Sequence, residues 1–255
     1  MTDFSLVGDL LARDRRSDRP ALHAAELDRT YSYFDLCNTA YKAGNVLSHV
    51  GVREGDRIVV DPGRDPQPIF TFLGAALLGA VTEFDPDPGR ECDARAVVVP
   101  VELEGEFALP GGSKLVAFGG DPDRPETTHW EQEVWSENPA FPPTFHDPTD
   151  PVLRGRVDDD DSRAFSHADL LGAAGAAVDA LALDADSCVA VRAPLTDPRT
   201  VAAGVLAPLA AGGTAVLARS DGGPAVDATT AIVDGDATAP EGRTLAVESV
   251  SLASR

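Results

Sequence analysis

The feature that most restricts what this chain can fold into is a long-period self-similarity. Ser32 with Asp35, and Ser166 with Asp169, each place an N-cap serine three residues before an acid, the start signal of a capped helix. After the first pair, Tyr33, Leu36, Cys37, Ala40, Ala43, Val46 and Leu47 recur at helical spacing, and Gly51 ends the run. After the second, Leu170, Leu171, Ala174, Ala177, Val178 and Leu181 form the matching stripe. A buried-strand pattern follows each, Arg57 to Val60 and Cys188 to Val191. Asp65-Pro66 and Asp197-Pro198 then offer a cap and a first-turn proline. Gly79 and Gly212 end those helices, ahead of strands at Ala80 to Phe84 and Thr214 to Ala218. The offset between copies stays at about 131 to 134 residues. Helices and strands alternating twice over predict an α/β fold of two pseudo-repeated layered lobes with largely parallel sheets.

The remaining segments fit around that repeat. Residues 1-118 read as the first lobe, 119-162 as an acidic, Pro-rich connector with a loop region, and 163-255 as the second lobe with a short tail. In the first lobe, Leu6 to Leu11 suits a short amphipathic helix, and Ala21 to Ala25 and Thr30-Tyr31 are strand-like. Ala94 to Pro100 and Leu115 to Phe118 read as further strands, as do Ala231 to Val233 and Thr244 to Val247 in the tail. Within the connector, Trp130 and Trp135 are expected to anchor it on the sheet. His129 and His146 lie in polar connector sequence and receive no role.

Charge narrows the functional classes. The formal net charge is -21, from 42 acidic against 21 basic residues, and the lysines are Lys42 and Lys114 alone. Such a surface resembles that of proteins from salt-accumulating cells, where carboxylates hold hydration. No basic patch is available to displace counterions from phosphates, which argues against nucleic acid as a partner. Cys37, Cys92 and Cys188 are isolated, so neither a disulfide framework nor a zinc site is suggested. The first two are expected to be small apolar fillers. No signal-like start and no apolar run of about 20 residues is present, so the expected location is the cytoplasm, with no membrane contact.

The stretch from Asp147 to Leu171 leads into the second repeat. A backbone cradle for phosphate needs glycines for close approach and usually a lysine for charge. This stretch has one glycine, Gly155, and the run Asp158 to Asp161.

Several segments resemble the adenylate-forming enzymes: AMP-forming acyl-CoA synthetases, adenylation domains and luciferases. Thr30 to Leu36 is similar to their "TYxEL" segment, and Val50 to Ile58 to "GVxxGDRV". Phe72 to Val81 resembles "FLAxLxxGAV", Ser166-His167 with Leu170 resembles "SHxNL", and Leu206 to Gly212 resembles a later helix, "LxxLxxGA". The resemblance covers roughly residues 5 to 220 and implies the N-terminal portion of that fold. The family's phosphate loop, "TSGTTGxPKG", lies just before the "SH". Counting back without gaps sets Leu153 on its first threonine, Gly155 on its first glycine, Asp158 on its second glycine and Asp161 on its lysine. The histidine segment expected after the next strand reads Pro194-Leu195-Thr196-Asp197. The family's magnesium and adenine segments and its mobile C-terminal domain fall beyond Arg255.

A lysine-to-aspartate exchange reverses the charge beside a triphosphate. Two like charges about 4 Å apart repel by about 4 kcal/mol at an effective dielectric near 20. Concentrated salt shortens the Debye length to about 3 Å, yet restores no missing donor. The degenerate positions Arg154, Gly155, Arg156, Asp158 and Asp161 are therefore the candidate site. Arg154 and Arg156 could grip an anion or pair with the adjacent aspartates, and the aspartates could hold magnesium or form a solvated loop. His167 reads as a remnant first-turn residue. Two functions follow. The first is a non-catalytic relative acting as a binding or regulatory subunit, with no cofactor and with another chain or a second copy as partner. The alternative is a partial ligase, using ATP or AMP and Mg, that a second chain completes.

Overall fold

Both predicted helix starts form. Ser32 Oγ accepts from the Asp35 N–H at 3.1 Å, and the Asp35 carboxylate accepts from the Ser32 N–H at 3.0 Å. Ser166 and Asp169 reproduce this at 3.1 and 2.9 Å. The structure, a computed structural model, describes residues 4–142, 144–158, 161–225, 227–235 and 237–252. Helices α1 (Tyr33–His49) and α2 (Gln67–Leu78) belong to the first copy. Helix α4 (His167–Leu181) opens the second, after the short connector helix α3 (Trp130–Ser136).

Two sheets result. One has the order β7-β6-β5-β3-β4-β8-β9, built from β3 (Arg57–Val60), β4 (Val81–Phe84), β5 (Ala96–Pro100), β6 (Lys114–Phe118), β7 (Thr128–His129), β8 (Pro151–Gly155) and β9 (Arg163–Ser166). The other has the order β13-β12-β10-β11-β1-β2. It contains β1 (Pro20–Ala24), β2 (Arg29–Ser32), β10 (Cys188–Val191), β11 (Thr214–Leu217), β12 (Thr230–Val233) and β13 (Arg243–Ala246). Every pairing is parallel except within the two hairpins, β1–β2 and β8–β9. The registers repeat as well: Ile58 lies between Thr82 and Ala96, and Val189 between Ala215 and Thr230.

Each hairpin joins the sheet of the other half. β1 pairs with β11, setting Leu22 opposite Ala215, and β8 pairs with β4, setting Leu153 opposite Thr82. The exchange ties the halves together, a distribution that sequence order alone does not convey. The helix layers share one apolar core with Phe70, Phe72, Phe118 and Phe165 fully buried. Backbones of α1 and α2 come very close: a Cβ on Gly74 would lie 2.6 Å from Gly44 N. Cys37 and Cys92 are buried fillers, as expected.

Three local expectations are corrected. Leu6 to Leu11 forms a 3-10 turn, Val7–Leu11, rather than an α-helix. Trp130 is anchored, its indole N–H donating to Thr71 Oγ1 at 3.0 Å, but Trp135 is 71% exposed. Five helical residues rotate a side chain by about 140°, so both cannot face the sheet. The helix opened by Asp197-Pro198 is not uniform: α5 (Pro198–Thr200) passes through a π-helical stretch, Val201–Leu206, into α6 (Ala207–Ala211). Pro208 stands just after that stretch; it cannot donate one turn back and its ring crowds the carbonyl there, which favours a widened turn. Among the described residues no helix is long and apolar enough to cross a membrane.

Candidate ligand cleft at the strand ends

The C-terminal ends of β4, β8, β10 and β12 open onto one cleft of about 670 Å³, the place where open parallel sheets expose ligand-binding loops. β4 brings Glu83 and Asp85 to it, and the turn after β8 brings Arg156 and Asp158. The segment into α5 contributes Asp197 and Arg199, and Asp234 and Glu248 close the far side. Six carboxylates thus face two guanidinium groups, and Arg57 from β3 pairs with one of the six, Glu83, at 2.6 Å.

Arg199 is the central cation. Its side chain is only 7% exposed. Nη2 donates to Asp197 Oδ2 at 2.7 Å, and Nε lies 3.1 Å from both Asp197 oxygens. Nη2 also pairs with Asp158 Oδ1 at 3.0 Å. The Asp197 hydrogen bonds hold the Arg199 proton even more firmly than usual, against the opposing effect of burial. Asp197 is doubly used, since it also caps α5 through the Arg199 N–H. Asp158 reaches Arg199 from a left-handed backbone, φ 56°, a conformation that Asp tolerates better than most residues.

The other candidate positions do not converge as a phosphate cradle would require. Leu153 and Gly155 lie within β8, where Gly155 pairs across the ladder with Arg163. Gly155 serves close packing: a Cβ there would lie 2.7 Å from Pro198 Cγ and 3.2 Å from Thr196 O. Arg154 Nη2 donates to Ser162 O at 3.0 Å, and its Nε lies 3.9 Å from Glu83 Oε2. Neither Arg154 nor Arg156 pairs with Asp158 or Asp161. Arg156 has no ion pair or hydrogen bond among the described residues, and Asp161 is exposed. Asp159 and Asp160, part of the expected carboxylate run, lie outside the described residues.

His167 does not belong to the cleft. It is fully buried in the first turn of α4, and its Nδ1 accepts from the Val7 N–H at 3.1 Å. Burial, with the neighbouring His146 imidazole, lowers its pKa to about 4. Sequence reasoning missed Arg199 and the four acids Glu83, Asp85, Asp234 and Glu248. Arg199, two residues past the Asp197-Pro198 cap, carried the only local signal.

No family model matches the chain. It is 24% identical over 148 residues to 4-coumarate–CoA ligase 2 of Solanum tuberosum, covering 53% of this chain and 27% of that one. To the acetyl-coenzyme A synthetase of Bacillus subtilis it is 34% identical over 76 residues, covering 29% and 13%. Among solved structures, the anthranilate CoA ligase AuaEII in complex with anthranoyl-AMP superposes with a TM-score of 0.76 at 18% identity, over 89% of this chain and 49% of that one. The chain thus spans about half of that structure and between 13% and 27% of these curated relatives. By fold, and by partial sequence likeness, the chain is similar to the N-terminal portion of adenylate-forming enzymes.

Proposed function

We propose that this chain is a non-catalytic relative of AMP-forming acyl-CoA ligases, acting as a binding or regulatory subunit. The observation that carries the reading is the engagement of Arg199 by Asp197 and Asp158 in a cleft lined by four further carboxylates. A triphosphate placed there would meet repulsion of about 4 kcal/mol from each carboxylate near 4 Å that lacks a cation partner, at an effective dielectric near 20. No lysine lines the cleft to offset it. The protein takes no nucleotide cofactor on this reading and works through a partner, another chain or a second copy, in the cytoplasm of a salt-accumulating cell. The test is calorimetry with ATP, AMP and an acyl-adenylate in molar KCl. No binding is expected at micromolar concentrations, and a micromolar dissociation constant for any of the three would overturn the reading.

One observation favours a second reading. Arg156 faces the cleft with no partner among the described residues, and a free guanidinium is a ready anion ligand. A partial ligase completed by a second chain would use it. Pyrophosphate release on mixing this protein with a candidate partner, ATP and a carboxylic acid would establish that alternative; no release would end it.

A further inference from the structure

Away from the cleft, at the N-terminal ends of β3 and β8, the connector returns past the end of α2, and three side chains outside the cleft come together there. Glu54, from the turn before β3, His146 and Asp150, from the connector before β8, each offer a ligand atom within 4.8 Å of the others. We propose that Glu54, His146 and Asp150 form a site for a divalent first-row transition-metal ion, bound by one imidazole nitrogen and two carboxylates, which pins the connector to the end of α2.

The imidazole is set up for ligation. His146 Nε2 lies 3.1 Å from the Leu77 carbonyl oxygen. That oxygen can only accept, so Nε2 carries a proton, and in the neutral ring Nδ1 holds the lone pair. A ligating histidine typically donates its other N–H to a backbone carbonyl in this way. Nδ1 is buried and has no hydrogen-bond partner, an uncompensated cost that a metal bond would remove. Space for the approach comes from Gly79, the left-handed cap of α2 at φ 72°. A Cβ there would lie 2.8 Å from His146 Nδ1 and 3.1 Å from Glu54 Cγ. Any other residue would fill the gap in which the two groups meet.

The surroundings favour a cation. The C-terminal carbonyls of α2 carry the negative end of its dipole, and Leu77 O already accepts from both Thr144 Oγ1 and His146 Nε2. Asp150 is held by the Asp147 N–H at 2.7 Å, whereas Glu54 is exposed and free to rotate. Bonds of about 2.0–2.2 Å require donors about 3–4 Å apart, so ligand atoms already within 4.8 Å of one another need only a small approach to close the triad. One nitrogen with two carboxylates suits ions such as Zn²⁺ or Mn²⁺, water completing the sphere, better than the all-oxygen sets taken by Mg²⁺ and Ca²⁺.

The test uses the full chain, stripped of metal and held in molar KCl to mute diffuse binding to surface carboxylates. Zn²⁺ is titrated by calorimetry while imidazole ¹⁵N resonances are followed. One ion is expected per chain, with a shift at His146 Nδ1 that Mg²⁺ does not cause. Glu54→Gln, at an exposed position that leaves the fold intact, and His146→Gln should each weaken Zn²⁺ binding about tenfold or more. An unmoved His146 resonance, unchanged affinity in both variants, or equal displacement by Mg²⁺ would overturn the proposal. None of these outcomes depends on whether nucleotide binds elsewhere.

Discussion

The two hairpins that lead into the two halves do the same structural work with different loops. β1–β2 turns through residues 25–28, and β8–β9 through residues 156–162. Each then enters a serine-capped helix with matching geometry, and each lends its strands to the opposite sheet. The helix starts repeat because they carry the fold; the loops differ because only the longer one reaches the cleft, where Asp158 meets Arg199. What the second hairpin adds to the cleft is therefore carried by its loop, through Arg156 and Asp158, the usual division between scaffold and loop.

The sharpest way to break the equivalence of the halves is at their helix contacts. In the first half a Cβ on Gly74 would lie 2.6 Å from Gly44 N and 2.8 Å from Ala40 O, both immovable backbone. In the second, a Cβ on Gly204 would meet Val191 Cγ2 at 3.1 Å, a side chain that can yield. Gly74→Ala should cost about 3 kcal/mol or more through overpacking against backbone, and Gly204→Ala about 1 kcal/mol or less. Urea denaturation of the two variants reads the contrast, and equal losses would show that the two helix layers are packed alike.

The first residue of each capped helix gives the next effect. Tyr33 and His167 are both buried there. With a folded pKa near 4 against about 6.5 unfolded, His167 stays neutral in the native state while the unfolded chain takes up a proton. Stability from this group is complete above pH 6.5 and is lost as pH falls toward 4, up to about 3 kcal/mol. Urea midpoints at pH 7 and 4.5, with EDTA present, should differ more in the wild type than in His167→Asn, whose amide oxygen can still accept from Val7. Tyr33 does not titrate in this range, because burial pushes its phenol up to about 12. Its hydroxyl donates to Gly213 O at 2.8 Å, with Leu209 O at 3.2 Å. Tyr33→Phe should therefore cost about 1–2 kcal/mol by leaving a carbonyl unpaired, equally at both pH values.

What the sequence revealed, and what it did not, follows from the range of the interactions. Ser32–Asp35 and Ser166–Asp169 were legible because a capping box is closed within one turn. Asp197-Pro198 was legible for the same reason, although the π-helical stretch behind it was not. Pairing of Leu22 with Ala215 spans most of the chain, and no local period marks which sheet a hairpin will join. The acidic run Asp158 to Asp161 was visible as composition, but the partner of Asp158 was not. Arg199 lies 41 positions from Asp158 and meets it only because β8 packs on α5 through Gly155. His146, without a role in sequence, gains one from the bend that sets it against Leu77 and Gly79.

The smallest expected effect tests the loops themselves. Asp28 and Asp158 both hold left-handed backbone, φ 48° and 56°, one in each hairpin turn. Asparagine adopts that conformation as readily, so neither Asp28→Asn nor Asp158→Asn should introduce strain. Asp158→Asn also removes an ion pair with Arg199, but the Asp158 side chain is 65% exposed and Asp197 retains the guanidinium. Solvent and salt leave such a pair worth about 0.5 kcal/mol or less, so both variants should unfold within that margin of the wild type. Binding of ATP should remain absent in Asp158→Asn, because five carboxylates still line the cleft once Asp158 is neutral. Micromolar ATP binding by this one variant would instead place the whole block on nucleotide at Asp158, and would make the longer hairpin loop a single-residue gate.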